Sequence, residues 1–364
     1  MVALHQFVPS LLSSDAIGSH VLEIKRTLDV FGIPNEIFVS SKRDDHVGIA
    51  HPFTEYPKMR NDGDILLYHV AGASSMADFL SSRKEAIWID YHNITPAAFF
   101  DGWDNRTAAN QHLGRVQLER LASIAELALA DSHFNESELI DLGFSATGVL
   151  PFLFNPDNFE DSEIDPTILH GETERWIFVG RITPNKAQHN LIRSFALYRE
   201  LFNPNSELFL IGKPSTPRYF DSLAKMIDEL GLGDCVFLTK GVSDKELSSY
   251  YQSADIFVSL SEHEGFCVPL LEAMHYRLPI VALASSAVPE TLADAGVLIE
   301  RSDPLSVAVA ANLVLRDPAL LDELGQRAEE RLTQLSLEYA RNHLEKILYS
   351  YGLGTEKRHE SATR

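Results

Sequence analysis

The sequence predicts an α/β protein made of two halves, each a parallel sheet covered by helices. Three observations predict it. Short apolar runs alternate with stretches of helical period along most of the chain. The alternation breaks at residues 151–175, which hold three prolines, many acids and no clear period, and then it restarts. The length, 364 residues, is long for one domain and comfortable for two.

In the first half, Ile37–Ser40, Asp64–Val70, Ala86–Tyr91 and Leu127–Asp131 read as strands or strand ends. Val21–Phe31 reads as a helix, because Val21, Leu22, Ile24, Leu28 and Phe31 recur near a 3.6-residue period. Gly114–Ala130 reads as a second amphipathic helix running towards a strand. The second half alternates more cleanly. Strands are expected at Trp176–Gly180, Glu207–Gly212, Cys235–Leu238, Asp255–Leu260, Ile280–Ala284 and Gly296–Ile299. Helices are expected between them at Asn190–Leu201, Tyr219–Leu230, Lys245–Ser253 and Leu270–Tyr276. Such alternation produces parallel sheets with helices on both faces. A last helix, Leu337–Tyr351, is long enough to pack back across the first half, and the polar tail 354–364 is expected to be disordered. The domain boundaries expected are thus 1–165, joined by a helix at about 337–353, and 172–335.

Composition narrows the function. Hydrophobic residues at 45% and charged residues at 23% are ordinary for a soluble globular chain. A net charge of −21 argues against generic nucleic-acid binding and against adhesion to anionic lipid through bulk charge. Residues 1–160 hold 11 Lys/Arg against 22 Asp/Glu, so the first half is not a basic docking module. Two cysteines, Cys235 and Cys267, make neither a disulfide framework nor a metal cluster. The amino terminus is a poor signal peptide, and no run approaches 18 consecutive apolar residues. A cytoplasmic enzyme is expected, with room for a peripheral contact at the inner face of the membrane.

The most specific stretch is Ser261–Met274, SEHEGFCVPLLEAM. It follows the apolar strand Asp255–Leu260 and enters a helix through Pro269. Glu264 and Glu272 stand eight positions apart, one at the strand's carboxyl end and one in the first helical turns. Loop amides and a helix N-terminus favour an anion, and two carboxylates accept hydrogen bonds from hydroxyls. That suits a ligand with phosphates and hydroxyls, such as a nucleotide sugar. The plain alternative is a solvated loop acid and a helix-dipole acid. A second stretch, VGRITPNK at Val179–Lys186, sets Arg181 and Lys186 five apart after a strand end. The two cations can neutralise a diphosphate without a metal. The plain alternative is two surface cations at a turn. A third, SDAIGSH at Ser14–His20, opens the helix Val21–Phe31, and Gly18 there would let backbone approach a ligand. Its plain reading is an N-cap by Ser14, Asp15 or Ser19. A fourth, IDYHNITP, puts His92 just beyond an apolar strand, at the sheet edge where open α/β sheets bind ligands. Its plain reading is a structural histidine. No phosphate-binding G-x-x-x-x-G-K-S/T loop, nucleophile elbow or H-E-x-x-H motif competes.

These motifs together resemble retaining glycosyltransferases of family 4, the group 1 glycosyltransferases with the GT-B fold. The second half carries the resemblance strongly, and the first half more loosely. The resemblance implies two Rossmann-like domains facing across a cleft, with the donor mainly on the second. It implies that Arg181 and Lys186 hold the diphosphate, Glu272 the ribose and Glu264 the sugar hydroxyls. It implies that Gly265, Phe266, Cys267 and Val268 line the sugar-phosphate. Gly18 would approach the diphosphate, and His92 would contact the sugar. The expected reaction moves a hexose, mannose among the candidates, from a GDP- or UDP-sugar to a hydroxyl of a glycan or lipid-linked acceptor in polysaccharide or glycoconjugate biosynthesis. No cofactor and no metal are expected, and no nucleic-acid partner. Two departures stand out. Cys267 occupies a place where the family often has glycine, and the loop GKPSTPRYF lacks a G-x-G run, so Lys213 or Arg218 adds contacts of its own. His51–Arg60 and Pro96–Arg106 are the candidate acceptor stretches. An epimerase or phosphorylase of the same fold, or a non-catalytic sugar-nucleotide-binding subunit, stays open.

Overall fold

The computed structural model describes residues 2–12, 15–40, 48–158 and 173–353, and within them all strand pairing is parallel, in one sheet of seven strands and one of six. The tail 354–364 and residues 159–172 of the stretch between the halves lie outside the described residues, as does Ser14.

The first sheet contains β1 (Leu4–Val8), β2 (Ile37–Val39), β3 (Ala50–Pro52), β4 (Ile65–Val70), β5 (Ala86–Tyr91), β6 (Ala125–Ala130) and β7 (Thr147–Val149). Their order is β3-β2-β1-β4-β5-β6-β7, which reverses direction at β1, the arrangement of doubly wound α/β folds. The helices are α1 (Ala16–Val30), α2 (Tyr56–Met59), α3 (Ser75–Ser81), α4 (Asn105–Leu121) and α5 (His133–Asp141). One face of the sheet buries Phe7, Tyr68 and Ile89 against Met76, Leu118 and Leu139 of α3, α4 and α5.

The second sheet contains β8 (Glu174–Val179), β9 (Ser206–Ile211), β10 (Val236–Leu238), β11 (Ile256–Ser259), β12 (Ile280–Leu283) and β13 (Val297–Ile299), in the order β10-β9-β8-β11-β12-β13. Its helices are α6 (Gln188–Leu201), α7 (Pro217–Glu229), α8 (Asp244–Ser253), α9 (Val268–His275), α10 (Val288–Leu292), α11 (Pro304–Arg316) and α12 (Pro318–Gln334). Leu191 and Phe195 of α6 and Val307 and Ala311 of α11 cover one face. Tyr251 of α8 and Leu270 and Met274 of α9 cover the other. The last helix, α13 (Leu337–Ser350), joins the first sheet: Leu344 and Leu348 pack with Leu4, Ile24, Leu28 and Trp88. Burying each such leucine contributes roughly 1.5–3 kcal/mol.

By internal contact, the described residues within 1–94, 112–155 and 335–353 form one compact unit, and those within 95–111 and 156–334 form the other. The short stretch 95–111 thus groups with the second sheet, where Trp103 meets Tyr219 edge-on at 5.3 Å. In the other candidate acceptor stretch, Tyr56 is fully buried against Phe7 and Phe38.

Three sequence expectations need correction. Leu4–Val8 is a central strand that hydropathy misses, because His5 and Gln6 interrupt its apolar run while both are buried. The stretch Gly114–Ala130 is not one helix but the end of α4, a turn and β6, because its leucines suit either period. Helix α1 begins at Ala16 rather than Val21, since Asp15 caps it by accepting from Gly18 N at 2.6 Å.

Candidate functional site

In the second unit, VGRITPNK and SEHEGFCVPLLEAM come together at the carboxyl ends of β8 and β11. After β8 the chain crosses beside the loop that follows β9. Gly180 N donates to Ile211 O at 2.9 Å, and Ile182 N to Lys213 O at 3.1 Å. A Cβ on Gly212 would fall 1.9 Å from Gly180 O, so only glycine allows this approach. A single 3₁₀ turn, Pro184–Lys186, then leads into α6. Asn185 in that turn ties the two motifs together. Its Nδ2 donates to His263 O at 3.2 Å, and its carbonyl accepts from Glu262 N at 2.8 Å. Ser286 and Thr291 hold the far side of the second motif. Ser286 Oγ accepts from Glu264 N at 3.1 Å, and Thr291 Oγ1 donates to Phe266 O at 2.6 Å.

This frame sets the charges. Lys186 Nζ pairs with Glu264 Oε1 at 2.5 Å, with the Lys186 side chain 14% exposed and the Glu264 side chain 8%. Arg181 is exposed and has no ion-pair partner among the described residues, so its guanidinium is available to an anion. Lys213, on the loop after β9, and Arg218, in the first turn of α7, are exposed. Gly265 and Val268 are half-buried and Phe266 is buried.

Cys267 adopts a left-handed conformation, φ 72° and ψ 63°, as the N-cap of α9. Most side chains cost roughly 1–2 kcal/mol there and glycine costs little, which gives a physical reason for glycine at this point. The Cys267 thiol lies beside Glu264, and burial, then the Glu264 charge, raises its pKa well above the ordinary thiol value. Glu272 is the fifth residue of α9, little more than one turn beyond that loop. Tyr251, fully buried in α8 and stacked on Tyr276 at 5.3 Å, donates its hydroxyl to Glu272 Oε2 at 2.6 Å. Burial pushes the Glu272 carboxyl up to about 7. The Tyr251 bond pulls it back only in part, and Asp244 adds to the rise.

The first unit holds Gly18 and His92. Gly18 lies in the first turn of α1, and its amide is engaged by Asp15. A Cβ there would fall 1.7 Å from Leu12 O, so the structure uses this glycine for close backbone packing. The N-cap reading of this motif therefore describes its present contacts, with Asp15 as the cap.

His92 follows β5, and Asn93 turns the chain in a left-handed conformation at φ 72°, which asparagine tolerates well. The His92 ring is 2% exposed, and both its nitrogens are engaged. Nδ1 meets both Asp131 oxygens at 3.0 Å, and Nε2 meets His69 Nδ1 at 2.9 Å. Asp90, fully buried on β5, brings Oδ2 within 3.0 Å of His20 Nε2, 3.2 Å of His69 Nδ1 and 3.7 Å of His92 Nε2. Burial lowers the His92 pKa, but Asp131 and Asp90, helped by Asp15, outweigh it and raise the group to about 9.

His20, Asp90 and His92 place one potential ligand atom each within 4.8 Å of one another, and Asp90 Oδ1 has no hydrogen-bond partner. The set nevertheless fits a cation poorly. His20 Nδ1 accepts the Leu153 amide at 3.0 Å, so the neutral ring must carry its proton on Nε2, the nitrogen a metal would need.

Sequence reasoning found the charged ends of this arrangement and missed its supports: Asn185, Ser286, Thr291 and Tyr251 in the second unit, and Gln6, His20, His69, Asp90 and Asp131 in the first. One signal was legible. Asp90 and His92 alternate along IDYHN, which puts them on one side of the strand line.

Residues 160–331 match the family model described as glycosyl transferases group 1. The chain is 34% identical over 175 residues to a D-inositol 3-phosphate glycosyltransferase of Kineococcus radiotolerans, covering 44% of this chain and 40% of that protein. It is 25% identical over 230 residues to a GDP-mannose-dependent α-(1-6)-phosphatidylinositol monomannoside mannosyltransferase of Mycolicibacterium smegmatis, covering 58% of this chain and 59% of that one. These matches span less than two thirds of either relative. In structure the chain is similar to Anabaena HepE solved in complex with UDP-glucose, with a TM-score of 0.76 at 16% identity, over 95% of this chain and 99% of that one. At that identity the likeness establishes the fold, two Rossmann-like domains of the GT-B class. Among the described residues no single helix is long and apolar enough to cross a membrane.

Proposed function

We propose that this chain is a group 1 glycosyl transferase, the family whose model its residues 160–331 match, and that it moves a hexose from a nucleotide-diphosphate sugar to a hydroxyl acceptor with retention at the anomeric carbon. The observation that carries the proposal is the framed charge set of the second unit. Arg181 at the end of β8 has no ion-pair partner among the described residues, and Lys186 pairs with Glu264 one loop away. In the transfer, the bond between the anomeric carbon and the phosphate oxygen breaks, and its electron pair leaves on the diphosphate. The acceptor oxygen bonds to the same face of that carbon. Its proton passes to the departing phosphate oxygen. Such a path needs no protein nucleophile and no metal. It needs positive charge where the diphosphate gains negative charge, which we assign to Arg181 and Lys186. Lys186 would exchange some of its contact with Glu264 for phosphate, leaving Glu264 to accept a sugar hydroxyl. Glu272, held by Tyr251 on one oxygen, keeps the other for the ribose.

A relative that uses GDP-mannose and a neighbour crystallised with UDP-glucose support GDP- or UDP-sugars as the first donors to try. The acceptor is proposed to be a hydroxyl of a glycan or a lipid-linked sugar. The test is a thermal-shift panel of UDP, GDP, ADP and their sugars, followed by turnover on the donor that binds. At a hundredfold excess over its dissociation constant, the right ligand adds about 2.7 kcal/mol of stability. Arg181→Ala and Glu272→Ala are expected to lose donor affinity and turnover. If both retain them, or if activity vanishes in chelator and returns with manganese, the assignment fails.

A further inference from the structure

We infer that Gln6 and His69 are positioning residues that, with Asp131 and Asp90, hold His92 as a permanently protonated ring, so that His92 serves the reaction as a fixed cation and not as a base. The role in the reaction rests on the proposed transfer, whereas the protonation state rests on hydrogen-bond geometry inside the first unit together with the burial that keeps His69 neutral.

The argument is a count of protons along a buried chain. It begins at Gln6, fully buried on β1. Gln6 Nε2 donates to Val21 O at 3.1 Å, which fixes the amide so that Oε1 points at His69 Nε2, 3.0 Å away. An amide oxygen only accepts, so His69 Nε2 must carry a proton. His69 Nδ1 faces both Asp90 Oδ2 at 3.2 Å and His92 Nε2 at 2.9 Å, so one proton lies between the two rings; burial outweighs Asp90 and drives the His69 pKa down to about 4, which leaves that proton on His92 and the His69 Nδ1 bare. A bare Nδ1 at 2.9 Å from His92 Nε2 must receive a proton from it. The other nitrogen of His92 faces the Asp131 carboxylate, which also only accepts. Both nitrogens of His92 are therefore protonated. The charged groups around the ring agree. Asp131 comes from the end of β6, Asp90 from β5 and Asp15 from the start of α1, and all three favour the cation. His20 accepts the Leu153 amide on Nδ1, so its ring proton on Nε2 faces Asp90, and His69 is neutral. Two interacting anions thus flank one cation in a buried pocket, an arrangement whose half-satisfied versions are costly. With neither ring nitrogen bare, His92 has no lone pair with which to take the acceptor's proton. Its exposed surface is mostly backbone, since the side chain is 2% exposed while the residue as a whole is half-buried.

The test reads the ring directly. Histidine in the full-length protein is labelled with ¹⁵N, and the His92 signals are identified by their loss in His92→Gln. Both ring nitrogens are expected to stay protonated from pH 6 to pH 8. In His69→Phe, which removes the acceptor, and in Gln6→Leu, which releases the His69 tautomer, the His92 pKa is expected to fall by about one unit or more. His69→Gln, whose amide oxygen can take the Nε2 proton, is expected to restore it. On a turned-over donor, kcat of the two depleted variants should fall as pH rises from 7 to 8.5 with little change in donor KM, while wild-type kcat stays level. A bare His92 nitrogen in the wild type at pH 7.5 overturns the inference, and so does an unchanged His92 titration in both depleted variants. Zinc-dependent shifts of the His20 and His92 signals would overturn it in favour of a cation site. A protonated His92 in a protein that turns over no donor would leave the inference standing and sink the transfer reading.

Discussion

Glu272 offers the sharpest quantitative prediction, because its burial and its role pull in opposite directions. The perturbation is pH together with Glu272→Gln. Burial raises the carboxyl from the ordinary value of 4.5 to about 7. The folded protein then binds a proton on Glu272 that the unfolded chain releases, over the window from pH 4.5 to 7. Stability from this group is greatest at low pH and is lost as pH rises through 7. Integrated between pH 6 and pH 8, that linkage is worth about 1 kcal/mol, or roughly 2–4 °C in melting temperature for units of this size. Other groups titrate nearby: burial lowers His5 and His69, which works in the opposite direction, while His92, raised to about 9, works in the same direction above pH 6.5. The wild-type curve must therefore be read as a difference from Glu272→Gln, in which this proton is absent. Binding runs the other way. Ribose hydroxyls donate to an ionised carboxylate, and only about a tenth of Glu272 is ionised at pH 6 against about nine tenths at pH 8. Apparent affinity for the nucleotide should thus rise up to about tenfold between those values, provided the protonated form binds weakly. Differential scanning fluorimetry gives the first number and isothermal titration with UDP or GDP the second. If Glu272→Gln melts and binds with the same pH dependence as the wild type, Glu272 is already ionised and the reasoning is wrong.

Lys186→Met strands the buried Glu264 carboxylate and should lower stability by about 3 kcal/mol by chemical denaturation, with Glu264→Gln in the same chain recovering much of it; equal losses in single and double variants would argue against the pairing. Cys267→Gly should be more stable than Cys267→Ala by about 1 kcal/mol, because both lose the thiol but only alanine keeps the left-handed strain at φ 72°; equal melting temperatures would contradict the assigned backbone. Gly18→Ala, whose Cβ would meet Leu12 O at 1.7 Å, should cost more than about 2 kcal/mol or prevent folding, read by expression and thermal melt. Tyr251→Phe leaves the stacking on Tyr276 but removes the donor to Glu272, so nucleotide affinity at pH 7 should fall several-fold while the melting temperature changes little.

The second unit was far more legible in the sequence than the first, for physical reasons. Its strands β8, β9, β11 and β12 are nearly continuous apolar runs, because a parallel sheet is covered on both faces. Its loops carry their chemistry in consecutive residues, so Arg181, Lys186, Glu264 and Glu272 could be named from two short motifs. The first sheet interrupts its apolar strands with polar residues that are buried and paired. His5 and Gln6 look like a break in β1, while His69 on β4 and Asp90 on β5 sit in runs that read as strands but give no sign of their partners. Those partners are remote in the chain: His20 and Asp90 are 70 positions apart, and Leu153 and His20 are 133. A periodicity argument cannot see a hydrogen bond of that span, and a lone histidine after a strand says nothing about its own proton.

That difference bears on which residues of the two motifs deserve a catalytic reading. Gly18 looked like a residue kept small for a ligand, yet its missing Cβ makes room for Leu12 O and its amide answers Asp15. Cys267 looked like a departure that narrows a loop, yet the backbone there is one that glycine would serve, and the thiol sits against Glu264 instead of facing outward. In both cases the local conformation accounts for the residue before any substrate is invoked. For Arg181 it does not. An exposed arginine at the carboxyl end of β8, beside a lysine already bound to a buried carboxylate, gains nothing from the fold around it. Its guanidinium, with no ion-pair partner among the described residues, is the group that the proposed diphosphate would engage.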